Sequence, residues 1–600
     1  MKSQTLDHFR TGLTILNNQF NEKENVSLNQ LTYSIGTESF KAFSVSVNDW
    51  KIKNKVLRLW QKDATLWTNS NEDRCLGWLT TTLEESSDTQ NLFKISHEIK
   101  EEGFTQILLI GMGGSSLFAE VLKKTFGKLE GFPELYVLDS INPDQIKTVE
   151  SKLDLPRTLF IVSSKSGSTL ETDFLRQYFF EKLSRLFDAI GAGNHFLGIT
   201  DPESKIKKIA ETHKFRSVFL GNPSIGGRFS ALSIFGKVPG ALMGIDISKF
   251  IDRANRMVEA CYSSVQETEN PGLILGSILA ILGAQKKNKV TFIVSPEIAG
   301  ISSWLEQLLA ESTGKRGKGL IPIEGEQVGL PQVYGSDRIF IYLRFNQTKQ
   351  LNLDKSVEKI QQAGHPVIRI VVDDLYNLGQ EVFRWEMAIA VAGSILQINP
   401  FNQPDVEISK FATKKLVAQY KKTGSLPTEN PILCESGLGL FADQHNREFL
   451  CQKTGPNRSM VDLIRAHFNR LHSSDYFAIL AYLNMNDIHQ EHLQTMRHIV
   501  RNRLHVATCL SFGPRFLHSI GQLYKGGPNN GVFLQITCET ELDLKIPSQN
   551  CTFGLIEAAQ ARGDFEVLTR RNRRALRIHI FSDVVEGLSR LGKLISVALE

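Results

Sequence analysis

Six hundred residues, 41% apolar, 22% charged and 9% aromatic, have an ordinary globular composition, and the length suits about three to five folding units rather than one. The 69 Lys plus Arg against 64 Asp plus Glu leave a formal charge of +5, spread along the chain with no basic block to hold nucleic acid. Any anion bound here is therefore expected to be one small molecule in one local site.

Residues 1–100 are mostly polar with helical patterning, and are expected to form an N-terminal cap without chemistry of its own. From residue 101 short β-branched runs alternate with amphipathic stretches: 106–110, 135–139, 158–164, 195–200 and 217–221 read as strands, and 170–187 as a helix. Strand, helix, strand in that order predicts parallel pairing with right-handed crossovers, so 101–250 is a first α/β unit. Runs at 290–295, 339–345 and 367–373, followed by helices at 378–397 and 404–421, make 251–422 a second unit. Periodicity lapses over 423–460, a connector or insertion. It returns at 476–483, 505–511, 531–538 and 576–581, which places a third α/β unit at 461–600. The stretches 303–323 and 515–536 share an order of aromatic, helix, Lys-Gly turn and apolar strand, a faint internal repeat.

Directly after the first strand stands Gly111-Met112-Gly113-Gly114-Ser115-Ser116, opening a helix. Glycines there let backbone N–H groups approach a phosphate, and the helix N-terminus adds partial positive charge. The run nearly matches GxGxxG, and Asp139 closes the next strand where a ribose-binding acid would sit, so a nicotinamide cofactor, a sugar phosphate and a plain tight turn all remain open here. The third strand ends in Ser163-Ser164-Lys165-Ser166-Gly167-Ser168-Thr169-Leu170-Glu171-Thr172, five hydroxyls and one Lys across seven positions before another helix. One such hydroxyl is an ordinary N-cap. Together they favour a cradle for a phosphate dianion that needs no metal.

These two turns resemble those of the sugar isomerase (SIS) fold. Ile225-Gly226-Gly227-Arg228-Phe229-Ser230, the stretch Glu306-Gln307-Leu308-Leu309-Ala310-Glu311-Ser312-Thr313-Gly314-Lys315 and the stretch from Asn399 to Lys410 are similar, in order, to the later motifs of the glucose-6-phosphate isomerase family. The ending, with Gly513 to Ser519 and Lys525-Gly526-Gly527-Pro528, is similar to the isomerase half of bacterial fusions with a transaldolase. About 100 N-terminal residues cannot build that partner's barrel of roughly 250.

The resemblance implies two parallel-sheet SIS domains (101–250 and 251–422), a helical cap and a C-terminal SIS-like unit. It implies an aldose-ketose isomerase that interconverts glucose 6-phosphate and fructose 6-phosphate through a cis-enediol, in glycolysis and gluconeogenesis. It assigns the base to Glu311 and the cation facing the enediolate to Arg228. Gln307, one helical turn before Glu311, and Gln403 would contact substrate, and Lys410 would help open the ring. Gly114, Ser115, Ser164, Lys165, Ser166 and Thr169 would surround the phosphate. Taken alone, Glu311 would be a helix-surface acid paired with Lys315 at i+4, whereas Arg228 would be equally a surface residue after a Gly-Gly turn or a site cation. Asp405 stands where the family usually has Gly, and puts a second negative charge near the site.

The ring-opening histidine departs most from the pattern. From Glu311 to Gly364 there is none. His365 leads into a strand as a loop residue, whereas Leu517-His518-Ser519-Ile520-Gly521-Gln522 resembles the family's histidine-bearing helix. In the family that histidine comes from a partner subunit, so the protein is either a homodimer or a monomer whose third unit imitates the second subunit. A regulator that binds a sugar phosphate without turning it over is the alternative, but it would need neither Glu311 nor Lys410. A nicotinamide dehydrogenase would leave the second serine turn and residues 225–410 unexplained.

No cofactor is expected, and the 14 histidines and seven cysteines show no metal-ligand spacing. Cys75, Cys261, Cys434, Cys451, Cys509, Cys538 and Cys551 form no CxxC pair, which suits a reducing compartment. The start, Met-Lys-Ser-Gln-Thr-Leu-Asp-His, lacks a signal peptide's apolar core, and the most apolar stretches fall short of the ~20 residues that cross a bilayer. A cytoplasmic location without membrane contact is expected.

Overall fold

In the computed structural model the described residues are 13–15, 27–84, 86–540 and 542–600. The N-terminal segment contributes strands β1 (Leu13–Ile15) and β2 (Gln30–Ser34). The first sheet holds β3 (Gln106–Ile110), β4 (Glu134–Leu138), β5 (Thr158–Ser163), β6 (Phe196–Thr200) and β7 (Ser217–Leu220). It is wholly parallel, in the order β4-β3-β5-β6-β7. Every residue of β5 and β6 is buried, as expected of strands with helices on both faces.

The second sheet contains β8 (Lys289–Val294), β9 (Ile321–Ile323), β10 (Arg338–Phe345) and β11 (Val367–Val372), in the order β1-β2-β11-β10-β8-β9. The third contains β12 (Leu433–Glu435), β13 (Leu438–Phe441), β14 (Tyr476–Tyr482), β15 (Ala507–Phe512), β16 (Gly531–Cys538) and β17 (Arg574–Ile580), in the order β12-β13-β17-β16-β14-β15. The two sheets share one topology: four parallel strands ordered fourth, third, first, second, with an antiparallel pair on the fourth. The third unit therefore repeats the second.

Three expectations need correction. The N-terminal cap is not purely helical, because Leu31 and Tyr33 alternate with half-buried neighbours and β2 pairs antiparallel with β11. The stretch 423–460 is not merely a connector, since it carries the β12–β13 pair and the helix Gln444–Thr454. The faint sequence repeat is not the structural one. Its first copy lies between the first and second strands of its unit, its second copy between the second and third.

The first two sheets share a continuous apolar core from Leu31 to Phe401, which includes the helix Pro271–Ala284, apolar but for Ser277 and started by Asn270 capping the Leu273 amide. The third unit has its own core, yet Ala310, Ile321 and Ile323 of the second unit pack with Tyr476, Leu523 and Tyr524 of the third. Glycines make that junction close: a Cβ on Gly314 would stand 2.4 Å from Leu523 Cα. The Gly317 amide also donates to the Gly526 carbonyl at 3.0 Å. No helix among the described residues is long and apolar enough to cross a membrane.

Candidate active site

In the first sheet the chain runs from β3 outward to β4, then back across to β5, so the crevice at the carboxyl ends of β3 and β5 is a topological switch point. Both hydroxyl turns leave exactly these two strands. They meet there, the Lys165 amide donating to Ser115 Oγ at 3.3 Å. Ser164 Oγ donates to Thr169 Oγ1 at 3.1 Å, while Ser166 is exposed and pairs with Ser168 at 3.0 Å. Lys165 departs from expectation, because its ammonium binds both oxygens of Asp201 at 2.7 Å and the Asn222 carbonyl at 3.0 Å. What the turns present to an anion is hydroxyls and amides rather than that cation.

The glycine turn is crowded from three sides. Gly113 has φ +56°, and a Cβ there would lie 2.5 Å from the His518 carbonyl oxygen and 3.1 Å from Gln307 Nε2. A Cβ on Gly114 would lie 2.1 Å from the Gly227 oxygen. The backbone around Arg228, the helix carrying Gln307 and the third unit thus converge on one loop.

Arg228 and Glu311 are neither of them surface residues. They are 2% and 8% exposed. Arg228 Nη1 lies 3.4 Å from Glu311 Oε2. The guanidinium is spent in full: Nε donates to Ser312 Oγ at 2.8 Å, Nη1 to Gln403 Oε1 at 3.0 Å, and Nη2 to the Pro400 and Asn402 carbonyls at 2.6 and 2.9 Å. Burial pulls its pKa below the usual arginine value and Glu311 opposes that. Gln307 Nε2 donates to Glu311 Oε2 and to the His518 carbonyl, both at 3.0 Å, and its buried Oε1 has no partner. Lys315 does not pair with Glu311 as helix spacing suggested. Its buried ammonium donates to the Asn399 carbonyl at 2.5 Å, and burial, then Arg228, holds its pKa well below the usual lysine value.

His518 comes from the third unit, in the turn Arg515–His518. Its Nε2 lies 2.9 Å from Glu171 Oε1, and Gln560 Nε2 donates to the same oxygen at 2.6 Å. Arg515, three residues earlier, pairs with Glu120 and, at 3.2 Å, with Asp139. Asp139 is therefore buried against a guanidinium rather than open to a ribose, which removes the support for a dinucleotide site. Asp405, the departure from glycine, accepts from Gln522 at 2.6 Å and Arg571 at 2.5 Å, fastening the second unit to the third.

Two histidine and lysine positions fall outside this cluster. His365 packs edge-on against Phe340, ring centres 5.3 Å apart, as a loop residue. Lys410 is half exposed, its ammonium paired with Glu407 at 2.7 Å, and is not brought to the Glu311 pair. Sequence reasoning gave no role to Glu171, Gln560 or Ser312. Only Glu171 carried a signal, as an acid in the first turn after the serine-rich loop.

Hydroxyl turns at a parallel-sheet switch point, with a buried carboxylate–guanidinium pair close to the glycine turn, define an α/β protein with a candidate site for a small anion. Residues 97–328 match the family model of phosphoglucose isomerase. The chain is similar to the glucose-6-phosphate isomerase of Methanocaldococcus jannaschii, 26% identical over 351 residues covering 53% of this chain and 85% of the relative. It is 27% identical to that of Rubrobacter xylanophilus over 366 residues, 53% and 84% of the two chains. That of Mycoplasmopsis pulmonis is 26% identical over 419 residues, 62% and 97%. Among solved structures, a hypothetical protein from Thermus thermophilus superposes with a TM-score of 0.56 at 23% identity, over 64% of this chain and all (100%) of that one. A glucose-6-phosphate isomerase from Chlamydia trachomatis gives 0.54 at 18%, over 65% and 89%. The last two share the fold.

Proposed function

We propose that this chain interconverts D-glucose 6-phosphate and D-fructose 6-phosphate through a cis-enediol, with Glu311 as the base. The observation that carries this reading is the Glu311–Arg228 pair, buried at 3.4 Å close to the glycine turn at Gly113 and Gly114, which the second serine turn meets through Ser115.

The chemistry follows from the geometry. Ser115, Ser164, Ser166 and Thr169, with the amides of their turns and of Gly114, hold the phosphate. His518, oriented by Glu171, moves a proton on the ring oxygen and opens the sugar. Glu311 takes the proton from C2 of the aldose and returns it to C1, with electron density resting meanwhile on the enediolate oxygens. Arg228 is already fixed by four acceptors besides Glu311, so it stabilises that charge without reorganising. Gln307 and Gln403 orient the sugar oxygens. A non-catalytic regulator would have no use for a buried base–guanidinium pair.

We further infer that one chain carries a whole site, because His518 reaches the first unit in cis. Activity per chain should then be independent of protein concentration, checked by sedimentation alongside the assay. We also assign the protein to the cytoplasm, which suits seven free cysteines. The decisive experiment is a coupled assay of fructose 6-phosphate conversion. Glu311→Gln is expected to lower kcat by about 10²–10⁴-fold with an unchanged circular dichroism spectrum. A mutant within a few-fold of the parent would overturn the assignment.

A further inference from the structure

A second cavity, of about 520 Å³, opens where the second and third units meet. Its walls come from three places: the turn after the Glu311 helix (Lys315, Arg316), the loop that anchors Arg228 (Asn399, Asn402, Asp405), and the third unit (Lys525, Arg571, Arg573). None of the serine turns, nor Glu311, Arg228 or His518, lines it.

Five cationic side chains face one lining carboxylate, Asp405, and a second carboxylate outside the lining, Asp564, pairs with Lys525 at 2.6 Å. Packing alone does not call for that excess. Arg573 is 5% exposed, gives Nη2 to the Lys525 and Gly527 carbonyls at 2.7 and 2.8 Å, and has a buried Nε with no partner. A buried guanidinium donor left unpaired is destabilising unless something accepts from it. Arg316 is exposed, holds φ +54° and has no carboxylate partner among the described residues. Gly526 and Gly527 line the wall as bare backbone.

We propose that this cleft is a binding site for a small anion bearing two or more phosphoryl groups. Guanidinium forks match phosphate oxygens in pairs, and the cavity falls within the ~300–1,000 Å³ of small-molecule sites. One such ligand spans Arg316 on the second unit and Arg571 and Arg573 on the third, so it draws the two units together. It also touches Asn399 and Asn402, whose loop carbonyls hold Lys315 and Arg228. Occupancy is thereby coupled to the cation facing Glu311. Binding itself does not depend on the isomerase reading.

The test is calorimetry of the full chain with inorganic pyrophosphate at constant ionic strength. An equilibrium mixture of glucose 6-phosphate and fructose 6-phosphate is present throughout to fill the serine turns. One equivalent of pyrophosphate is expected to bind, with Kd raised about tenfold or more by Arg316→Glu and by Arg571→Ala. Arg571→Ala frees Asp405 and can disturb folding, so Arg316→Glu, at an exposed unpaired position, decides. Undiminished affinity in Arg316→Glu overturns the site, as does the absence of pyrophosphate binding in the parent.

Discussion

His518 Nε2 and Glu171 Oε1 stand 2.9 Å apart across the boundary between the third unit and the second serine turn. The carboxylate lies in the first turn of the helix Leu170–Leu186, and Gln560 of the third unit donates to it as well. The imidazole is thus held by the same helix start that follows the phosphate-binding hydroxyls, which fixes its distance from a bound sugar.

His518→Ala is expected to cut turnover of the cyclic sugar by about 10²–10³-fold, while proton exchange on an open-chain substrate stays near the parent rate. Glu171→Gln keeps a hydrogen-bonding group and loses the charge, so its loss should be smaller and of the same kind. Comparing isomerisation of the cyclic substrate with isotope exchange on the open chain separates the steps. Equal activity of His518→Ala and parent on the cyclic sugar would remove His518 from the mechanism.

The same pair makes stability depend on acid. Burial alone would raise the Glu171 pKa, but His518, together with the backbone and Gln560 hydrogen bonds, outweighs it and holds the carboxyl at about 2, against an ordinary 4.5. A folded value below the unfolded one stabilises the native state fully above about pH 4.5, and that contribution disappears as pH falls toward 2. Urea unfolding of parent and Glu171→Gln should show the parent's advantage shrinking by on the order of 2 kcal/mol between pH 7 and pH 3. A gap of constant size at both pH values would contradict the ion pair.

Much of this was legible from residues, and what was not has a physical reason. Strands such as Thr158–Ser163 and Gly531–Cys538 announce themselves because parallel strands covered on both faces are continuous apolar runs. The edge strand Leu433–Glu435 is mostly exposed and carries no such run, so it looked like a connector. The two hydroxyl turns were local and readable. The groups that orient them were not: Glu171 meets His518 across 347 positions, and Lys165 is drawn off by Asp201, 36 residues away. Arg228 and Glu311 kept their places because a motif named them. The groups that hold Arg228, Ser312, Pro400 and Asn402, lie 84, 172 and 174 residues away, and no spacing rule connects them to it.

Gly113 can be tested against a glycine that shares its backbone strain but not its surroundings. Ala at φ +56° costs about 1–2 kcal/mol by itself, and its Cβ would also push on the His518 carbonyl at 2.5 Å. Gly131, at φ +75°, would meet only the flexible end of Lys100 at 3.0 Å. Gly113→Ala should therefore lose most activity, and Gly131→Ala should lose a similar amount of stability with kcat retained. Matching activity losses in the two variants would mean that the crowding around Gly113 does not matter.

Lys410 sets the family resemblance against the geometry. The resemblance gives it a part in ring opening. In this structure its ammonium is half exposed and paired with Glu407 one turn earlier, on the helix Val406–Thr423, where surface pairs contribute well under about 1 kcal/mol. The buried ammonium near Arg228 and Glu311 is instead that of Lys315, fixed to the Asn399 carbonyl. Lys410→Ala is accordingly expected to keep kcat for fructose 6-phosphate within about threefold of the parent, with little change in thermal stability. Lys315→Met should lower both, because it releases the loop whose Pro400 and Asn402 carbonyls hold Arg228. A loss of a hundredfold or more in Lys410→Ala, with folding intact, would require the helix Val406–Thr423 to turn inward when substrate binds. The ring-opening amine would then be Lys410 after all.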